Sequence, residues 1–78
     1  MEFFVCPCSK TGHIILDGHD QGPNKDNSGK LLTKQCNAGF HTISLKLGSG
    51  AACSPLQAHV DIYDTDPISP KEVAFQCA

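Results

Sequence analysis

The side chains with the most chemistry to offer in this chain are five cysteines, Cys6, Cys8, Cys36, Cys53 and Cys77, and four histidines, His13, His19, His41 and His59. Cys6-Pro7-Cys8 is the sharpest local feature. In an extended strand, residues two apart lie about 6.6 Å from each other with side chains on the same face, near the upper limit at which two cysteines can be bridged. Cys6 and Cys8 are therefore poor partners for one another, and each is expected to bond a different member of the set Cys36, Cys53 and Cys77. Five is odd, so one thiol is left over. The alternatives are reduced thiols, a metal ion held by Cys6 and Cys8 with His41, and a redox Cys-x-Cys. Zinc sites favour Cys-x₂₋₄-Cys knuckles, a spacing these cysteines do not show, and no thioredoxin-like βαβ pattern surrounds the pair. No cofactor is expected.

Asn24-Lys25-Asp26-Asn27-Ser28-Gly29-Lys30-Leu31 resembles the start of a calcium loop, with oxygen-bearing side chains at alternate positions, Gly sixth and an aliphatic residue eighth. Asn replaces the first Asp, and Gln35 stands where the bidentate Glu belongs. The expected reading is a solvated turn. Ser, His and Asp are all present, but the chain has neither a nucleophile elbow nor a cysteine-protease signature, and Gly48-Ser49-Gly50 is a connector and not a phosphate loop. No catalytic residue is assigned, and the protein is expected not to be an enzyme.

These groups must be held by strands. In Phe40–Leu47, Ile43, Leu45 and Leu47 point one way and Thr42, Ser44 and Lys46 the other, the period-two alternation of a half-buried strand; His41 falls on the face of Ile43. Residues 2–8 place Phe3 and Val5 opposite Phe4, Cys6 and Cys8, with Pro7 marking an edge or an end. His13–Asp17 reads as a strand covered on both sides. Ala58–Asp64 sets Ala58, Val60 and Ile62 against His59, Asp61 and Tyr63. Glu72–Cys77 turns Val73, Phe75 and Cys77 inward. Asn37-Ala38-Gly39 predicts a tight turn joining Leu31–Cys36 to Phe40–Leu47 as a hairpin. The polar stretch Gly18–Lys30 reads as the longest loop, without an apolar anchor and mobile.

With no 3.6-residue apolar period and about six strands in 78 residues, the chain predicts one all-β domain over 1–78, a small antiparallel β-sandwich. Such a chain buries roughly 60–65% of its unfolded surface, which leaves the core thin and gives disulfides a role. The net charge of −2, with no basic cluster, disfavours nucleic acid. The longest apolar runs fall far short of the ~20 residues of a membrane-spanning helix. Glu2 and the short Phe3-Phe4-Val5 run do not make a signal peptide. The expected location is secreted or surface-exposed if disulfides form, with Met1 added to a mature form, and cytoplasmic otherwise.

A strand ending in Leu16-Asp17-Gly18, a loop, and Gly39-Phe40-His41-Thr42-Ile43-Ser44-Leu45 together resemble the PEGA class of small bacterial β-sandwich repeats over residues 12–47. The Pro-Glu-Gly-Ala tetrapeptide and the usual Thr-Pro are absent, and the cysteines lie outside the pattern. The resemblance implies an Ig-like or PEGA-like sandwich serving as a non-enzymatic adhesion or scaffold module. The expected function is a binding or structural module, monomeric or weakly dimeric, that presents loops to a protein or glycan partner. The rivals are a small Cys/His metal-binding or redox protein and a phage or host-interaction inhibitor. The partner-binding candidates are Asp61, Tyr63, Asp64 and Asp66, an acidic patch around the sole Tyr on a proline-stiffened segment.

Overall fold

The computed structural model describes residues 1–77, and among them there is strand but no helix. Nine strands follow in order: β1 (Glu2–Val5), β2 (Gly12–Leu16), β3 (His19–Pro23), β4 (Lys34–Cys36), β5 (Gly39–Leu47), β6 (Cys53–Ser54), β7 (Ala58–Ile62), β8 (Lys71–Glu72) and β9 (Gln76–Cys77). They form a four-stranded antiparallel sheet in the order β3-β2-β5-β7, a three-stranded sheet β4-β1-β8, and the two-stranded ribbon β6-β9. The all-β expectation holds. One pair departs from the antiparallel expectation, since β1 and β8 run parallel, Phe4 opposite Lys71 and Val5 opposite Glu72.

The sheets share one core. Phe4 from the three-stranded sheet and Cys6 just after β1, Ile14, Leu16, Ile43, Leu45, Leu47 and Ile62 from the four-stranded sheet, and Val73 and Phe75 near the C-terminus belong to a single buried cluster. Ile43, Leu45, Leu47, Ile62, Val73 and Phe75 lie on the faces that their segments' alternation assigned inward, because apolar side chains at every second position leave water together, whereas β2, read as covered on both sides, buries Ile14 and Leu16 and leaves His13 exposed. The backbone after β8 keeps docking on the first strand: Val73 N–H donates to the Val5 carbonyl and Phe75 N–H to the Pro7 carbonyl, each at 2.9 Å.

The expected hairpin between Leu31–Cys36 and Phe40–Leu47 is not formed. β4 pairs instead with β1, Glu2 opposite Cys36 and Phe4 opposite Lys34. β5 pairs with β2 on one side and β7 on the other. Asn37-Ala38-Gly39 thus carries the chain from one sheet to the other, with Gly39 at φ 123°. A turn that changes sheet needs the same permissive glycine as one that closes a hairpin, so the turn chemistry was legible and its use was not.

The stretch read as an unanchored loop is also corrected. His19–Pro23 is a strand paired with β2, reached through Asp17-Gly18 with both residues at positive φ. The segment's anchor is polar. Asn24 is fully buried; its Oδ1 accepts from Gly12 N–H at 3.0 Å, and its Nδ2 donates to the carbonyls of Cys6 at 2.9 Å and Lys10 at 3.4 Å. Its own N–H donates to the Gly12 carbonyl, and its carbonyl accepts from Leu32 N–H. A buried amide is stable only with its donors and acceptors met, and here one side chain ties β2, the Cys6–Lys10 turn and the following loop.

Candidate functional site

β7 is the outermost strand of the four-stranded sheet, and its far edge is unpaired among the described residues. A groove of about 560 Å³ runs along it, lined by His59, Val60, Asp61, Tyr63 and Lys71. Asp61 stands directly opposite Phe40 of β5, which puts both side chains on one face of the sheet; Tyr63 follows two residues after Asp61, on the same alternation. Phe40 is 81% exposed and Tyr63 59%. Two large apolar surfaces therefore face solvent beside an acidic group.

Of the predicted partner-binding residues, Asp61 lies on the exposed face of β7, and Tyr63, Asp64 and Asp66 follow in the exposed segment after it. The segment is held in place. Thr65 donates both its N–H, at 2.9 Å, and its hydroxyl, at 2.6 Å, to Glu2 Oε1, and Thr65 Oγ1 accepts Phe3 N–H at 2.7 Å. These bonds to Thr65 hold the Glu2 carboxyl below the usual carboxylate range. Asp66 Oδ1 accepts the N–H groups of Ile68 and Ser69, so it builds its own turn. Asp64 sits at φ 55°, a left-handed conformation that Asp tolerates better than most residues.

Phe40 was not singled out by sequence, although the signal was present: it occupies the polar-face register of Thr42, Ser44 and Lys46. An exposed aromatic at an outward strand position is the feature to look for.

The cysteines depart from the predicted pairing. Cys53 and Cys77, opposite each other in β6 and β9, form the disulfide. Cys6, Cys8 and Cys36 are free. Cys6 does not bond across the fold because its side chain fills the core, fully buried, and that burial pushes its thiol pKa up to about 12. Burial likewise raises Cys36, helped by the charges of Glu2 and Asp17. Cys8 is partly exposed, and its Sγ lies 2.9 Å from Cys77 Sγ.

The metal alternative of Cys6, Cys8 and His41 is not assembled: among the described residues no three His, Cys, Asp or Glu side chains converge as metal ligands. Cys6 is in the core, and both ring nitrogens of His41 are engaged. Nδ1 donates to Asp17 Oδ2 at 2.6 Å and Nε2 to the Asn37 carbonyl at 2.6 Å. Two acceptors on one imidazole select the protonated ring, and the Asp17 carboxylate, then the Asn37 carbonyl, raise its pKa. Asp17 Oδ1 accepts Thr42 N–H at 2.8 Å, and that bond, with His41, keeps Asp17 ionised below its ordinary range. Asp17, Cys36 and His41 line one shallow depression with His19, yet a His41 that donates from both nitrogens has no lone pair to take a proton from a nucleophile. The arrangement is a brace between the β2 end and the sheet-changing turn.

The calcium-like loop is occupied by its own hydrogen bonds. Asp26 Oδ1 accepts from Ser28 Oγ at 2.7 Å, Ser28 N–H at 2.9 Å and Lys30 N–H at 3.0 Å, led by Ser28 in holding its pKa down. His13 and Asp20 pair on the surface at 3.0 Å. Among the described residues no helix is long and apolar enough to cross a membrane.

No family model, curated protein or solved structure matches this chain.

Proposed function

We propose that the protein is a non-enzymatic binding module and that its recognition surface is the β7 edge with Phe40, Asp61, Tyr63 and Asp64, taking an extended segment of a protein partner in preference to a glycan. The carrying observation is the unpaired β7 edge flanked by two solvent-facing aromatics and an in-register carboxylate. An open edge offers main-chain donors and acceptors to an added strand. Aromatic anchors supply contact area at little entropic cost, and Asp61 and Asp64 favour a partner carrying Lys or Arg. Thr65 and its bonds to Glu2 preset the Tyr63 segment, which lowers the ordering cost of binding. The engaged ring of His41 and the buried thiols of Cys6 and Cys36 support the non-enzymatic reading. The PEGA-like reading of residues 12–47 stays part of this proposal.

The test is an NMR titration of labelled protein with extended peptides bearing alternate Lys or Arg residues, run beside an oligosaccharide panel. Shift changes centred on Ala58–Ile62, Phe40 and Tyr63 with the peptides support the reading. Changes confined to Asp17–Lys30, or produced by the sugars alone, overturn it.

A further inference from the structure

We propose that Cys8, Cys53 and Cys77 form a thiol–disulfide exchange site, in which the Cys8 thiol displaces Cys53 from the Cys53–Cys77 disulfide and the bond migrates to Cys8–Cys77. Cys8 Sγ already lies 2.9 Å from Cys77 Sγ, and Cys77 is bonded on its other side to Cys53. Two elements hold the attacking sulfur there: Lys10 N–H donates to Cys8 Sγ at 3.4 Å, and Lys25 Nζ donates to the Cys8 carbonyl at 2.9 Å. The partner sulfur is fixed by β9, which pairs with β6 at Cys53 and Cys77, while Phe75 N–H on the Pro7 carbonyl docks the segment leading into β9 beside Cys8. Cys8 and Cys77 are both partly exposed, so solvent reaches the site and can take the proton.

The step balances without an outside oxidant or reductant. Cys8 gives up its thiol proton to water, its sulfur forms a bond to Cys77 Sγ, and the Cys53–Cys77 bond breaks with its electron pair leaving on Cys53 Sγ, which is protonated in turn. One disulfide and one thiol enter, and one of each leaves. The two forms differ in what they fasten: one closes the ribbon β6-β9, the other ties the stretch after β1 to β9 and leaves β6 with a free thiol. The exchange therefore couples the order of the segment around Cys53 to the occupancy of Cys8. Cys6 and Cys36 take no part, being buried.

The experiment is a disulfide map of the intact 78-residue chain. Non-reduced protein is held at mildly alkaline pH, then unfolded in guanidinium with excess N-ethylmaleimide at mildly acidic pH, which caps every thiol while exchange is slow. Cleavage after lysine places Cys8 with Cys6 on peptide 1–10, Cys53 on 47–71 and Cys77 on 72–78. The expected result is both linked pairs, 47–71 with 72–78 and 1–10 with 72–78, the minor one in roughly one molecule in ten or more, as for two disulfides of similar stability. Cys8→Ser should leave only the first link and remove all capping at Cys53. Cys53→Ser, oxidised with glutathione disulfide as the two-electron acceptor, should show only the second, and Cys6→Ser should still show both in the same ratio, which identifies Cys8 as the exchanging residue of its peptide. The proposal is overturned if the wild-type chain shows only the first link, if it shows five capped cysteines, or if folded Cys53→Ser protein still leaves Cys8 and Cys77 both capped after treatment with glutathione disulfide.

Discussion

His41 Nδ1 and Asp17 Oδ2 lie 2.6 Å apart, joining the end of β2 to the start of β5 where the chain has just changed sheets. The second ring nitrogen, 2.6 Å from the Asn37 carbonyl, makes the pair sensitive to protonation. Deprotonation of His41 would leave one bare nitrogen facing a carbonyl or carboxylate oxygen.

The pair predicts a pH dependence with a defined sign. His41 has its folded pKa raised above 6.5, so its stabilisation is complete below that value and lost as pH rises through the folded pKa. Asp17 has its folded pKa lowered below 3.8, so its contribution is complete above that value and lost as pH falls through the folded one. Glu2, Asp20 and Asp26, also lowered, share the acid limb. The neutral limb isolates His41. The urea midpoint of the native chain should decline as pH rises above about 6.5, while that of His41→Gln should be lower at the acid end and decline less over the same range. Parallel slopes for the two proteins would refute the assignment.

Removing the buried amide should be costly. Asn24→Ala leaves Gly12 N–H and the Cys6 carbonyl buried without their side-chain partner, and each orphaned group costs about 1–3 kcal/mol. A loss of roughly 2–4 kcal/mol is expected by chemical denaturation. Asn24→Asp should be worse above the carboxylate pKa, because an ionised oxygen would then face the Cys6 carbonyl.

A second contact, with β5, fixes Gly12. A Cβ at that position would lie 2.8 Å from the Lys46 carbonyl oxygen and 2.8 Å from Leu47 Cδ2. The leucine methyl can yield, but the backbone of the central strand cannot. Gly12→Ala should therefore destabilise by about 1–3 kcal/mol, whereas Gly48→Ala, where an added Cβ meets open space, should be near neutral; paired melting curves decide it.

Backbone relaxation should find Pro23–Lys25 and Leu32 as ordered as β5, with mobility confined to the tip around Asn27 and Gly29. The physical basis is Asn24, together with the Lys25–Leu31 bridge and the Asp26 turn. Uniformly low order parameters from Gly18 to Lys30 would contradict this anchoring.

Surface substitutions should separate binding from folding. Phe40→Ala and Tyr63→Ala should each weaken a β7-edge partner by more than about 1 kcal/mol with the melting temperature unchanged. For the acidic site, Asp64→Asn is the clean test of charge, since Asn also accepts the positive φ of that position, while Asp64→Lys would add backbone strain. Normal binding by all three variants would remove this surface from consideration.

The runs Phe40–Leu47, His13–Asp17 and Ala58–Asp64 marked strands by themselves, the last ending at Ile62, and in the first and last the alternation also gave the buried face, because a pleated strand gives each residue one of two faces and apolar groups choose the dry one; that His13–Asp17 is covered on one face only was not legible. The glycine-bearing turns were legible too, since positive φ at Gly18 and Gly39 reflects a local steric rule. Partner choice was decided only in three dimensions. A period-two strand can pair with any neighbour of like pattern, so the placement of β4 beside β1 instead of β5 follows from how the whole set closes one core. Asn24 looks in sequence like every other polar residue of its loop, and burial comes to it from β2 and the Cys6–Lys10 turn, distant in the chain. The contact of Cys8 with Cys77, 69 residues apart, exists because the segment after β8 docks along the extension of β1, a long-range pairing that no local spacing encodes.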